Sequence, residues 1–344
     1  MAPMNDPLDD ALQAIGLTAP DLDNGNTNHA PMVAETLVSV GRGETVLEWV
    51  DAYRRELGTR DRPSERPPLT DWRESLGNTH LWPEWVALFR RELDEQPWRD
   101  VLEAWTARLA PGIAGAATHG LSRTAHAARA LGQAETKPRT HELADALAYW
   151  AATYHDFGPA PPRLDHYALD DALNRVPDLD PPPGSNIDTT LGALDGSREF
   201  APVINLLETS TDPLADLSAL TERFALIYLS NAHDPARVFA VVHAVTGPSA
   251  IRMLAPHVTK SALELLLLYA WQTAAAIYSV WGKDRTMPEV SREAVANEQL
   301  IEASINNGAA HAIKLVEACL REYEYNPSPA YRAAAADAVL RLEG

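Results

Sequence analysis

Cysteine, basic charge and alternating β-branched runs are all scarce in this sequence, and each shortage removes a class of chemistry. Cys319 is the single cysteine among 344 residues. One thiol builds no intrachain disulfide, no cysteine-rich zinc site and no iron–sulfur cluster. A metal held by this chain must therefore rest on His, Asp, Glu or a chemically altered Lys. Lys and Arg total 29 against 48 Asp and Glu, giving a formal charge of -19 and a pI near 4.9. Nucleic-acid binders need the opposite, a basic stripe that neutralises phosphates and releases counterions, so nucleic acid is not an expected partner.

Long apolar runs are missing as well. The most apolar stretch, Leu263 to Val280, is broken by Glu264, Gln272 and Thr273 and falls short of the ~20 apolar residues that cross a bilayer. It reads as a core helix, and no membrane partner is expected. Met1 to Asp10 hold acidic side chains and no basic segment followed by an apolar run, so the expected location is cytoplasmic. Nucleotide motifs are absent too. Gly41, Arg42, Gly43, Glu44, Thr45 and Val46 lack the third glycine and the preceding strand of a dinucleotide fingerprint and read as a helix-to-helix turn. No Walker-type phosphate loop is present. Gly120, Leu121, Ser122, Arg123 and Thr124 lack the closing glycine and the strand of a nucleophile elbow, which argues against a serine hydrolase.

What is present is helical periodicity from the first third to the last residues, so the expected fold is all-α: a large multi-helix globular bundle. Apolar residues make up 46% of the chain, enough for a substantial core. Helix starts are expected near Pro31, Thr45, Pro83, Pro97, Pro111, Thr140, Asp165, Pro213, Pro235, Thr259, Pro288, Gly308 and Pro327, because proline at a first helical position is preset for helix and loses no needed donor. Thr59 to Pro68 and Pro177 to Gly196 are expected to be irregular loops. Residues 1–344 are read as a single domain; a division into two helical halves would fall at 177–196, with a site at the junction.

Four segments place histidine among small and apolar residues, where a neutral imidazole can offer a lone pair to a metal. The first is Asn28-His29-Ala30-Pro31-Met32, in which His29 is either a ligand or a helix cap. In the second, an alanine-rich helix, His119, Arg123 and His126 follow four-then-three spacing along one face. Seven residues rise ~10.5 Å, so His119 and His126 do not share an ion readily; one acts as ligand and the other stands behind it or faces substrate. The plain alternative is a pair of satisfied core histidines with Arg123 on a carboxylate.

The third segment, Val241-Val242-His243-Ala244-Val245-Thr246-Gly247-Pro248, sets His243 in a valine-rich turn that Gly247-Pro248 is expected to end. A single backbone hydrogen bond is its non-metal explanation. In the fourth, His311 and Lys314 lie three apart and project together. An ammonium has no lone pair and repels a cation, so Lys314 is neutral, carboxylated on its amine, or directed at substrate or oxygen. The alternative is a solvent-exposed pair with Glu317, worth only ~0.3 to 0.5 kcal/mol.

Taken in order, these segments resemble the questin oxidase-like family, whose pattern runs Asn-His-(Gly/Ala)-Pro-Met, His-Gly-x-x-Arg-Thr-x-His-Ala, a His-Ala-Val-Thr-Gly-like segment and a late His-x-x-Lys. Asp71 to Gly77, the helices around Trp82, Trp85, Trp98 and Trp105, and Leu143 to Trp150 are similar to the family too. The resemblance implies an oxidoreductase that uses dioxygen on a polycyclic, anthraquinone-like aromatic substrate, with a ring-opening, Baeyer–Villiger-type outcome in fungal relatives. Matched segment by segment, it implies His29, His119, His243 and His311 as metal ligands, Lys314 as a fifth after carboxylation, and His126 and Arg123 behind them or orienting substrate. Ferrous iron is the expected metal, since imidazoles suit it and an open position can take dioxygen or a phenolate. NADPH enters by resemblance alone, with no fingerprint in support. Ser122 departs from the family's aliphatic residue and is expected to make the pocket more polar; the tryptophans are expected either to stack on fused rings or to pack in the core.

Two other classes compete. HD phosphohydrolases are helical and bind metals through His-Asp pairs, which His155-Asp156 and His233-Asp234 could supply, although both dipeptides sit where helix capping explains them. A non-catalytic helical binding protein would keep its buried histidines as satisfied core groups.

Overall fold

The computed structural model describes residues 6–16, 18–22, 26–57, 69, 71–160, 165–291 and 295–342. Among these residues no strand forms and only isolated bridges occur, so the fold is all-α. The chain opens with α1 (Pro7–Ile15), a helix that proline-start reasoning passed over. Asp6 caps it by accepting from the Leu8 N–H at 2.9 Å, and Leu8, Ala11, Leu12 and Ile15 form its buried stripe. That stripe packs on α2 (Ala30–Ser39) and α3 (Val46–Tyr53), which are joined through the expected turn at Gly43–Thr45. Helices α4 (Trp82–Glu95) and α5 (Trp98–Leu109) begin where Pro83 and Pro97 predict.

The central pair is α6 (His119–Gln133) and α7 (Lys137–Ala152), packed against each other across a short connection. Gly120 makes the close approach possible, since a β-carbon there would lie 2.6 Å from Trp150 Cα. Helices α8 (Leu169–Leu173), α9 (Ile187–Gly192), α10 (Pro213–Asn231), α11 (Pro235–Val241) and α12 (His243–Leu254) follow. The last four are α13 (Lys260–Trp281), α14 (Asn297–Asn307), α15 (Ala310–Tyr325) and α16 (Pro329–Arg341). Asp212, Asp234, Thr259 and Ser328 cap α10, α11, α13 and α16 with their side chains.

Several boundaries depart from expectation. Gly247-Pro248 does not end a helix: α12 runs through both to Leu254. Every residue of α12 is buried among α6, α10, α13 and α15, and that packing outweighs the lost proline donor. Pro111 starts only a 3-10 turn, and α6 begins at His119. Pro288 starts no helix; α14 begins at Asn297. The segment 177–196 is not wholly irregular, because Asn186 and Thr189 form a reciprocal capping box that starts α9. Thr59 to Pro68 lie outside the described residues.

One contiguous apolar core runs from Trp82 to Leu342, and a second, smaller one joins α1–α3 to Ala130 of α6 and Ile313 of α15. Helix α13 is long and apolar enough to cross a membrane, yet 78% of its most apolar window is buried, as a core helix requires.

Candidate metal centre

Four histidines far apart in sequence meet at the ends of helices. His29 occupies the cap position of α2 but makes no capping bond, which removes the cap explanation for it. His119 is the first residue of α6, His243 sits at the seam of α11 and α12, and His311 is the second residue of α15. One ring nitrogen from each of His29, His119 and His311 lies within 4.8 Å of the other two. The His243 ring is beside them, its centroid 4.8 Å from His119 and 5.2 Å from His311.

Backbone carbonyls fix two of the rings. His119 Nδ1 donates to the Ala116 carbonyl at 2.6 Å, and His243 Nδ1 donates to that of Phe239 at 2.6 Å. With the proton held on Nδ1, each Nε2 presents a lone pair, the orientation that metal-binding imidazoles adopt. The Nε2 atoms of His29 and His119 are 2.8 Å apart, while those of His243 and His311 are buried and unpartnered. Burial first, and then the positive charge of Lys314, pushes His29 and His119 well below the ordinary histidine range and His243 down to about 3; in His311 the neighbouring His243 adds to burial before Lys314 does. Neutral, converging imidazoles with orphaned nitrogens can hold a metal ion; among the described residues no carboxylate joins the three-histidine cluster.

The turn before α6 is strained. Ala116, Ala117 and Thr118 have φ of 47°, 49° and 70°, a left-handed run that costs ~1–2 kcal/mol per residue. It brings the Ala116 carbonyl beneath His119. On its far side Thr118 presses against Gly247 of α12, where a β-carbon would come within 2.8 Å of Thr118 Oγ1. A strained turn fixed from both sides at a cluster of ligands is a pattern of functional sites.

Lys314 lies one turn into α15 and is only 4% exposed, which removes the solvent-exposed pair with Glu317. Its Nζ has Met32 Sδ at 3.8 Å, and burial pushes its amine down to about 7. Glu317 instead binds Arg129 at 2.5 Å and Arg321 at 3.0 Å.

A cavity of about 480 Å³ opens beside the rings, lined by His29, His119, His243 and His311 together with Thr27, Tyr53, Ile187, Asp188 and Phe239, a size suited to a small organic ligand. Phe239 is 42% exposed and packs edge-on to His311 at 5.7 Å. No tryptophan lines this cavity. Trp72, Trp85 and Trp105 stack in the core with Phe89, so core packing, not ring recognition, explains them. Ser122 is buried and stands off the cavity wall, so it does not make that wall more polar.

Residues 26–319 match the family model described as Questin oxidase-like. The chain belongs to the questin oxidase-like family. No curated protein matches it. The questin oxidase-like family points to an oxidoreductase acting on aromatic polyketides, and the triad of buried His29 and His119 with half-buried His311 could hold a metal ion.

Arg123 and His126, the other two site residues expected on the His119 helix, stand away from the cavity of this questin oxidase-like protein. Arg123 makes a two-point ion pair with Glu142, at 2.6 and 2.9 Å, and His126 Nδ1 meets Glu35 at 2.6 Å. Both line a separate space of about 10 Å³, large enough for little more than a water. Sequence reasoning missed Glu35, whose position on the buried face of α2 was its only signal. The rival His-Asp dipeptides separate: His155 pairs with Asp195 at 2.7 Å, and Asp234 caps α11.

Proposed function

We propose that this chain is a non-haem iron oxygenase that uses dioxygen to oxidise or open a ring of a polycyclic, anthraquinone-like compound. The observation that carries this reading is the set of neutral imidazoles, two with unpartnered Nε2 atoms, on the wall of a cavity in a member of an oxidase family. His29, His119, His243 and His311 would hold ferrous iron, which suits imidazole and supplies dioxygen activation and an affinity for phenolic oxygen.

The protein's own groups prepare that site. Carbonyls of Ala116 and Phe239 lock His119 and His243 in the ligating tautomer. The N-termini of α2, α6 and α15 converge there, and their partial positive charge favours an anionic substrate oxygen. A neutral Lys314 amine can take up carbon dioxide, forming a C–N bond and releasing a proton; the resulting carbamate gives the histidines an anionic oxygen neighbour. The open face of Phe239 offers a flat apolar wall to a fused ring. Behind the wall, the Arg123–Glu142 ion pair braces α6 against α7, and the His126–Glu35 hydrogen bond braces it against α2. NADPH fits poorly: among the described residues no arginine or lysine lines the cavity to meet its phosphates, and no step is assigned to it. The four histidines come from both sides of 177–196, and we read the chain as a single domain on that ground.

The test is metal content of anaerobically purified protein by mass spectrometry, with His311→Ala and Lys314→Ala alongside. Stoichiometric iron in wild type, lost in both variants, is the expected result. A protein that takes up no iron even on reconstitution would leave a metal-free oxidase or a non-catalytic binding protein.

A further inference from the structure

We propose that Thr27, Tyr149 and Asp21 form a proton relay that carries a substrate hydroxyl proton out of the histidine-lined cavity, with Asp21 as terminal acceptor. This rests on the reading of that cavity as the site for a phenolic substrate. Thr27 lines the cavity and is buried. Its Oγ1 lies 2.8 Å from the Tyr149 hydroxyl, and that hydroxyl donates to Asp21 Oδ1 at 2.7 Å. A tyrosine has one proton to give. Since Tyr149 gives it to Asp21, Thr27 is the donor in the other bond, and both donors point from the cavity toward Asp21.

The far end of this chain is wet. Tyr149 and Asp21 line a second, open cleft of about 360 Å³, whose rim includes the exposed Asp188 and Asp195. A β-bridge between Asp21 and Thr27 fixes the spacing of the two ends, and α7 supplies the tyrosine between them. The groups that face Asp21 are Tyr149 from α7, Arg123 from α6 and Asp188 from α9. Burial foremost raises Asp21 above the usual aspartate value, which makes it a stronger base.

The transfer balances as three concerted proton shifts. The substrate O–H bond breaks and its proton goes to Thr27 Oγ1; Thr27 passes its own to Tyr149, and Tyr149 passes its own to Asp21. Substrate is left as a phenolate and Asp21 as a neutral acid, which returns the proton to water in the open cleft. Imidazoles holding an ion would have their lone pairs committed to it and would not serve as bases. Asp188 is the competing acceptor, because it lines both spaces.

The experiment mixes zinc-loaded protein with 1,8-dihydroxyanthraquinone in a stopped-flow instrument. Zinc is colourless and redox-inert, so absorbance reports phenolate formation by the dye alone. In wild type the rate is expected to fall as pH drops through the Asp21 ionisation. Asp21→Asn, which keeps an acceptor for Tyr149, and Tyr149→Phe should each slow the step about 100-fold and flatten its acid limb, with melting temperature and dye affinity unchanged. An unaltered rate and pH profile in both variants, or a loss confined to Asp188→Asn, overturns the relay alone. Wild type that binds no dye overturns the relay and the substrate reading together.

Discussion

Lys314 is a cation-forming side chain buried beside four imidazoles with no carboxylate among the described residues shifting its titration, and that conflict governs the behaviour of the metal-free protein. Its folded value of about 7 lies below the ordinary 10.5, so the unfolded chain binds a proton more readily across that window. Each unit of difference weighs ~1.4 kcal/mol against the folded state. The penalty is full below pH 7 and fades as pH rises toward 10.5. Lys314→Met is therefore expected to stabilise the metal-free protein by several kcal/mol at pH 7 and hardly at all at pH 10, as urea melts at both values would show. Iron uptake should be lost in the same variant. The histidines act in the same direction at lower pH. His243 falls from 6.5 to about 3, so its stabilising contribution is complete above pH 6.5 and drains as pH drops below it, because the unfolded chain accepts protons that the buried ring refuses. Melting temperatures of the metal-free protein should thus fall steadily between pH 7 and 5, and less steeply in His243→Ala.

The turn Ala116–Thr118 sets the geometry at the next scale, the element. Three non-glycine residues in left-handed backbone are held between Gly247 of α12 and the start of α6. Ala117→Gly removes one steric penalty at some entropic cost in the unfolded chain, and the net expectation is a stabilisation of about 0.5–1 kcal/mol. Gly247→Ala has the opposite sign. Its β-carbon would meet Thr118 Oγ1 at 2.8 Å and Thr118 Cβ at 3.0 Å, a backbone-anchored group with little room to move, at a cost of about 1–3 kcal/mol. Displacing Thr118 also moves the carbonyl that holds His119. Cobalt titrated into Gly247→Ala should bind more weakly and with altered visible absorption, whereas unchanged binding would show that the turn does not aim the ring.

Across the whole molecule, a buried ionic network fastens the helices that deliver the ligands. Arg129 of α6 binds Glu35 of α2 at 2.6 Å and Glu317 of α15 at 2.5 Å, and His126 and Arg321 complete the set. Burial alone would raise both glutamates, but Arg129 foremost, with His126 on Glu35 and Arg321 on Glu317, holds them below the ordinary carboxylate value. Their contribution is present above pH 4.5 and lost as pH falls below it. Arg129→Met leaves two buried carboxylates short of a partner and should cost about 3 kcal/mol at neutral pH, measured by denaturant unfolding. The loss should shrink in acid, where the glutamates protonate. The network also loosens α2 and α15 together when broken, so iron affinity is expected to drop with stability.

Much of this was legible in the chain itself. Helical periodicity, proline at first turns and Asp or Thr caps are local signals, and they placed α2, α4, α5, α10, α11, α13 and α16 within a few residues. The four histidine segments stood out because imidazole among alanine and valine is conspicuous, and Lys314 because three-residue spacing puts it beside His311. Local rules failed where packing overrode them: at Pro248, carried inside α12 by burial on all sides, and at Ile187–Gly192, a helix within a proline-rich stretch. They gave no means of separating His119 from His126, since both lie on one helix. Residues 29, 119, 243 and 311 converge only when α2, α6, α12 and α15 pack together, and that same packing sends His126 to Glu35 and the tryptophans to the core. The sequence by itself determined the helices and the supply of ligands, because those depend on neighbours within one or two turns. The tertiary structure alone decided which imidazoles face one another, which tautomer they hold and where the open cavity lies, because those depend on burial and on contacts between segments about ninety or more residues apart.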